Sequence, residues 1–136
     1  MAGVYEIMGT AFVQSASDSE TFAVASHRGR YDVEVNATPS DSAWLASALS
    51  LDPYMLIDAR VAELYPAVHS AIPDGRKYYV TATEERKTLE TVADIIDAFC
   101  VAGVTRKSCV IVVGGGITQD VGAMALRKGG NAVMAL

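Results

Sequence analysis

The sequence predicts an α/β domain: a Rossmann-like parallel sheet with flanking helices. Three observations support this. From residue 54 onward, short apolar strand patterns alternate with helical stretches, an order that implies βαβ units. "SCVIVV" (108–113) is a continuous apolar run, the kind buried on both faces of a parallel sheet. Gly114, Gly115 and Gly116 follow it directly, where open α/β sheets bind ligands beyond the carboxyl ends of their strands.

The elements follow in order. Residues 1–20 are weakly patterned, and a loose start is expected there. "TFAVAS" and "RYDVEVNA" read as two strands. The second alternates Tyr31, Val33 and Val35 against Asp32, Glu34 and Asn36, the period of a half-buried strand. Gly29 can turn the chain between them. "SDSAWLASALSL" reads as a short helix capped by Ser40 or Asp41, with Trp44, Leu45 and Leu49 on one face. "YMLIDA" is a strand ending at Asp58. "ARVAELYPAVHSAI" has helical spacing at Val61, Leu64, Tyr65 and Val68, but Pro66 breaks or kinks a helix interior. "PDG" signals a turn, and "KYYVTA" is the next strand. The strongest helix is "KTLETVADIIDAFCVAG". Its apolar stripe is read as Leu89, Val92, Ile96, Phe99 and Cys100, with Gly103 as C-terminal cap. After Ala123 the pattern fades. The domain reading is a weakly patterned segment 1–29 followed by an α/β domain 30–136.

The totals narrow the function classes. A length of 136 residues suits one core. A net charge of −5 gives no support to nucleic-acid binding, which needs a basic face. The apolar runs fall short of the roughly 20 residues that a membrane span requires, so no membrane partner is expected. Cys100 and Cys109 make no disulfide framework. They read as small buried hydrophobes in a reducing, cytoplasmic compartment. His27, in an expected turn, and His69, on an expected helix, stand too far apart in sequence to suggest a metal site.

Glycine accepts positive φ and lets a ligand approach without a Cβ in the way. A helix starting near Ile117 would aim its free N–H groups at the loop, a place that suits phosphate. The pattern is neither the dinucleotide fingerprint G-x-G-x-x-G, since Gln119 stands at the third glycine, nor a P-loop, since no Lys-Ser or Lys-Thr follows. Asp120 is also an ordinary first-turn acid. Glu84 and Lys87 also read as a surface pair at i, i+3, and Asp58 as a helix cap.

Taken together, Asp58, Glu84-x-x-Lys87 and Gly114-Gly115-Gly116-x-x-x-Asp120, in this order between strands and helices, resemble the sugar phosphate cyclase superfamily. The 3-dehydroquinate synthases are its best-known members. The resemblance covers about residues 30–123. It implies the fold of a 3-dehydroquinate synthase N-terminal domain, with NAD as cofactor. Asp58 and Glu84 would accept ribose hydroxyls at the adenosine end, with Lys87 beside them. Gly114, Gly115, Gly116 and Ile117 would offer backbone around the pyrophosphate and nicotinamide ribose, and Asp120 would close the loop on cofactor or substrate.

The implied reaction converts a phosphorylated seven-carbon sugar, by phosphate elimination and ring closure, to a carbocycle. A homodimer is implied because the family commonly forms dimers. Two positions depart from the family: Arg60 stands where Asn is common, and Gln119 where 3-dehydroquinate synthases usually have Gly. The second departure is commoner among the divergent cyclases, so a sedoheptulose 7-phosphate branch stays open. Family members continue into a helical domain whose Glu and two His bind zinc or cobalt. No such ligands stand in this sequence, and the expectation is a truncated chain, a cofactor half that is inactive alone. Two other readings are a non-catalytic nucleotide-binding or interaction module, and an iron-type alcohol or glycerol dehydrogenase. The dehydrogenases usually place Lys where this chain has Ala123.

Overall fold

Along β5 (Tyr54–Asp58) and β7 (Cys109–Val113) nearly every side chain is apolar, and both strands lie in the middle of one sheet. The computed structural model describes residues 4–7, 10–13, 19–27, 29–36, 43–126 and 131–135. The chain divides into two units, Met1–Leu45 and Ala46–Leu136.

The first unit holds two antiparallel hairpins. β1 (Val4–Ile7) pairs with β2 (Thr10–Val13), and β3 (Ser19–Ser26) pairs with β4 (Gly29–Asn36). The β3–β4 hairpin is the one expected from the two strand patterns, with Ser26 opposite Gly29. The β1–β2 pair falls where a loose start was expected. Strands of four residues are too short for alternation to stand out. From residue 30 the sequence reading attached β4 to the α/β part; β4 is paired along its length with β3.

The second unit carries a four-stranded sheet in the order β6 (Lys77–Val80), β5, β7, β8 (Asn131–Ala135), and every pair is parallel. β8 lies in the tail where the pattern was read as fading. Two glycines precede "NAVMA", and its strand character rests on pairing with β7. Met55, Leu56 and Ile57 and all four of Val110–Val113 are fully buried. Each such side chain contributes roughly 1.5–3 kcal/mol by leaving water. Side chains alternate across a strand, so the sheet is buried on both faces, as the unbroken apolar run predicted.

α1 (Ala43–Leu49) buries Leu45 and Ala48. The expected cap at Ser40 or Asp41 and the side chain of Trp44 lie outside the described residues. Pro66 splits the next helical stretch: α2 (Ala59–Leu64) ends before it, and α3 (Pro66–His69) starts with it at the first position, where a proline is tolerated. His69 ends α3, and His27 sits in the turn as expected.

α4 (Leu89–Ala102) and α5 (Gly116–Leu126) cover one sheet face through a core that includes Leu56, Val110, Val112, Ile95, Phe99 and Val121. Thr88 caps α4 by accepting from the Thr91 N–H at 3.2 Å. Gly103, at φ 80°, ends it as expected: Val104 N–H donates to Phe99 O and Gly103 N–H to Cys100 O. The buried stripe differs from the expected one. Val92, Ile95 and Phe99 face the sheet, while Leu89 is 75% exposed and Ile96 and Cys100 lie outside. Two apolar stripes share Val92 and Phe99, and the sheet takes the one containing Ile95. The expected burial therefore fails for Cys100. It holds in part for Cys109, whose thiol is half-buried and pushed up in pKa by desolvation.

The amino ends of the strands are braced. Tyr54 Oη donates to Ala102 O at 2.7 Å, and the Arg76 guanidinium lies 4.7 Å from the Tyr54 ring centroid while pairing with Asp52 at 2.9 Å. Lys77, with its side chain only 6% exposed, meets Asp74 at 3.0 Å and donates to His69 O at 3.3 Å.

Candidate functional site

The strand order puts β5 and β7 side by side, with their helical connections diverging. In sheets of this order the crevice at the carboxyl ends of the two central strands is the ligand position. Asp58 ends β5, and Gly114 follows β7 directly. In register, Ile57 faces Val113.

The three glycines do different jobs. Gly114 is buried, with φ at 155°, and a Cβ built on it would lie 2.5 Å from Thr118 Oγ1 and 2.7 Å from Thr118 Cβ. No larger residue fits there without displacing the first turn of α5. Gly115 and Gly116 are exposed, and a Cβ on either would meet nothing within 4 Å. The fold therefore requires the first glycine, while the other two leave open space over the start of a helix. The first N–H groups of an α-helix have no partner within the helix. Ile117, the second residue of α5, is half-buried at the same place.

Two residues missed by sequence reasoning shape this loop. Thr118 is fully buried, and its Oγ1 has no hydrogen-bond partner among the described residues. Gln119, noted only as a departure, donates from Nε2 to Gly114 O at 3.2 Å, and its backbone N–H donates to Gly115 O at 3.0 Å.

Lys87 and Asp120 come together: Nζ to Oδ2 is 2.7 Å, with the side chains 45% and 58% exposed. The hydrogen bond to Asp120 is the main reason the Lys87 ammonium is held above its ordinary pKa, and the Glu84 charge adds to it. Glu84 is exposed in a 3₁₀ turn, Glu84–Arg86. The Glu85 carboxyl in that turn is held below its ordinary pKa, first by its own backbone N–H and then by Thr83. Lys87 thus pairs with Asp120, one turn into α5, which ties the loop after β6 to the start of that helix.

Asp58 stands elsewhere. It caps α2, accepting the Arg60 N–H at 2.9 Å, as its plainer reading held. It also lines an open cleft of about 340 Å³ with Arg60, Glu63, Thr81 and Thr83. Neither Glu84, Lys87 nor the glycine loop lines that cleft. The expected site residues thus form two groups at the carboxyl edge of the sheet: Asp58 at the β5–β6 cleft, and Lys87 and Asp120 with Gly114–Ile117 beyond β7. Among the described residues no group of three or more His, Cys, Asp or Glu could hold a metal ion, and no helix is long and apolar enough to cross a membrane.

Residues 77–129 match the family model of the 3-dehydroquinate synthase N-terminal domain. Over 94 residues the chain is 35% identical to 3-dehydroquinate synthase of Xanthomonas axonopodis pv. citri (strain 306), covering 63% of this chain and 25% of that protein. The similarity is to the N-terminal part of the sugar phosphate cyclase superfamily. Demethyl-4-deoxygadusol synthase of Trichormus variabilis is 37% identical over 71 residues, which cover 48% of this chain and 17% of that one. Among solved structures, ValA (2-epi-5-epi-valiolone synthase) from Streptomyces hygroscopicus subsp. jinggangensis 5008, with NAD+ and Zn2+ bound, superposes with a TM-score of 0.59 at 32% identity. The match covers 70% of this chain and 29% of that one. The chain spans a quarter or less of the length of these two curated relatives. The fold is thus the mixed α/β fold of a cyclase N-terminal domain.

Proposed function

We propose that the Ala46–Leu136 unit is the NAD-binding part of a sugar phosphate cyclase, and that the dinucleotide lies along the carboxyl edge of the sheet. The observation that carries this is the open space at Gly115 and Gly116 above the start of α5, at the crevice where such sheets bind ligands. The likeness to an NAD-bound valiolone synthase supports it. The residues present fit the group. Gly115, Gly116 and the first N–H groups of α5 suit a pyrophosphate, and the orphaned Thr118 hydroxyl adds an unused polar group beside them. Asp120 and Asp58 can accept ribose hydroxyls, and Lys87 supplies positive charge. When bound, NAD supplies a hydride acceptor that later returns the hydride. This chain's residues would bind and orient it.

Zinc or cobalt, expected from the family resemblance, finds no such donor set among the described residues, so no step is assigned to a metal here. The substrate class proposed is a phosphorylated seven-carbon sugar that loses phosphate and closes to a ring. Likeness to gadusol-type and valiolone synthases favours the sedoheptulose 7-phosphate branch as a second reading.

The test is calorimetric titration of NAD into the chain and into Asp120→Asn. A charge-assisted hydrogen bond is worth about 1.5–3 kcal/mol, so the variant should bind at least about tenfold more weakly. A folded chain that takes up no NAD refutes the proposal.

A further inference from the structure

We propose that Arg60 lets the cleft beside Asp58 accept a phosphate on the adenosine 2′-oxygen, so that the chain binds NADP as well as NAD. This rests on the dinucleotide reading above. In dinucleotide folds a carboxylate holds the ribose 2′-hydroxyl of NAD, whereas an arginine nearby accommodates the 2′-phosphate of NADP. Here both groups line one cleft, two residues apart.

Asp58 is partly committed, since its Oδ1 already accepts the Arg60 backbone N–H. Among the described residues the Arg60 guanidinium is held by Glu63, Nη1 to Oε2 at 3.0 Å, with the side chains 72% and 69% exposed. An exposed pair of this kind is weak and screened by water. A guanidinium facing a phosphate makes bidentate, charge-assisted bonds that are stronger. A 2′-phosphate therefore draws Arg60 from Glu63, and the released carboxylate stays hydrated. Thr81 and Thr83 also line the cleft; the Thr83 side chain is bonded to Glu85, while a threonine hydroxyl such as that of Thr81 donates to phosphate as readily as to ribose oxygens. Without Arg60 the charged groups lining the cleft would be the carboxylates of Asp58 and Glu63, and like charge would disfavour a 2′-phosphate.

The experiment is parallel calorimetry of NAD and NADP against the wild-type chain, Arg60→Ala, Arg60→Lys and Glu63→Gln, with circular dichroism to establish that each is folded. The wild-type affinities should lie within about tenfold of each other, an order-of-magnitude expectation from opposing single charges. The NADP-to-NAD affinity ratio should fall about tenfold or more in Arg60→Ala. It should fall less in Arg60→Lys, which keeps the charge without the fork, and rise in Glu63→Gln. NAD binding without NADP binding overturns the inference and leaves the proposed function standing, as does a ratio that Arg60→Ala does not move. A folded chain that binds neither dinucleotide overturns both.

Discussion

Replacing Gly114 by Ala should damage the fold, and replacing Gly115 should not, although the two are neighbours in one triplet. At Gly114 the new methyl would sit 2.5 Å from Thr118 Oγ1, 2.7 Å from its Cβ and 2.9 Å from its Cγ2. Thr118 is fully buried and cannot swing away. Overpacking of this kind costs about 1–3 kcal/mol. A φ of 155° on a residue with a Cβ adds roughly 1–3 kcal/mol of backbone strain. The sum, about 2–6 kcal/mol, is a large share of the 5–15 kcal/mol typical of a domain. It should lower the melting temperature by roughly 8 °C or more. At Gly115 the methyl meets nothing within 4 Å, and stability should stay within about 0.5 kcal/mol. Urea denaturation followed by circular dichroism reads both variants. Equal stability of the two would refute the division of labour within the triplet.

Three further outcomes are expected. Gly122→Ala would place a methyl 3.0 Å from both Leu56 Cδ2 and Val112 Cγ1, two fully buried side chains, and should cost about 1–3 kcal/mol in the same titration. Thr118→Val removes a buried hydroxyl with no partner among the described residues and should raise stability by about 1 kcal/mol; a loss instead would show that the hydroxyl is satisfied in solution. The Lys77 pKa is raised, chiefly by its hydrogen bond to Asp74. The stabilisation is therefore fully present below the unfolded lysine value of 10.5 and lost as pH rises through the higher folded value. Stability measured from neutral to alkaline pH should begin to fall near 10.5 and go on falling until the folded value is passed, and Lys77→Met should flatten the fall.

Much of the α/β unit was legible because its signals are local. "CVIVV" announces a strand buried on both faces, Gly103 ends α4, and Pro66 marks where one helix stops and another begins. What stayed hidden depends on partners distant in sequence. β8 is a strand because β7 is beside it. The buried face of α4 could not be told from its neighbouring stripe, since both use Val92 and Phe99, and only packing on the sheet selects Ile95 over Ile96. In the site, the glycine triplet and Asp58 were visible as motifs, but their division of labour was not. The clash that makes Gly114 obligatory comes from Thr118, one helical turn on. The Lys87–Asp120 pair joins the loop after β6 to the start of α5, two places far apart in sequence that the fold brings together. Arg60 was noted only as a departure from the family and Glu63 not at all; the cleft places both beside Thr81 and Thr83.

The central claim is that the space over Gly115 and Gly116 is kept for a dinucleotide. The most direct measurement is NAD affinity in Gly116→Val, a variant that puts side chain into that space and whose Cβ meets nothing within 4 Å. The account predicts a chain as folded as the wild type whose NAD binding is weakened tenfold or more, about 1.4 kcal/mol. Undiminished NAD binding in the folded variant would contradict it.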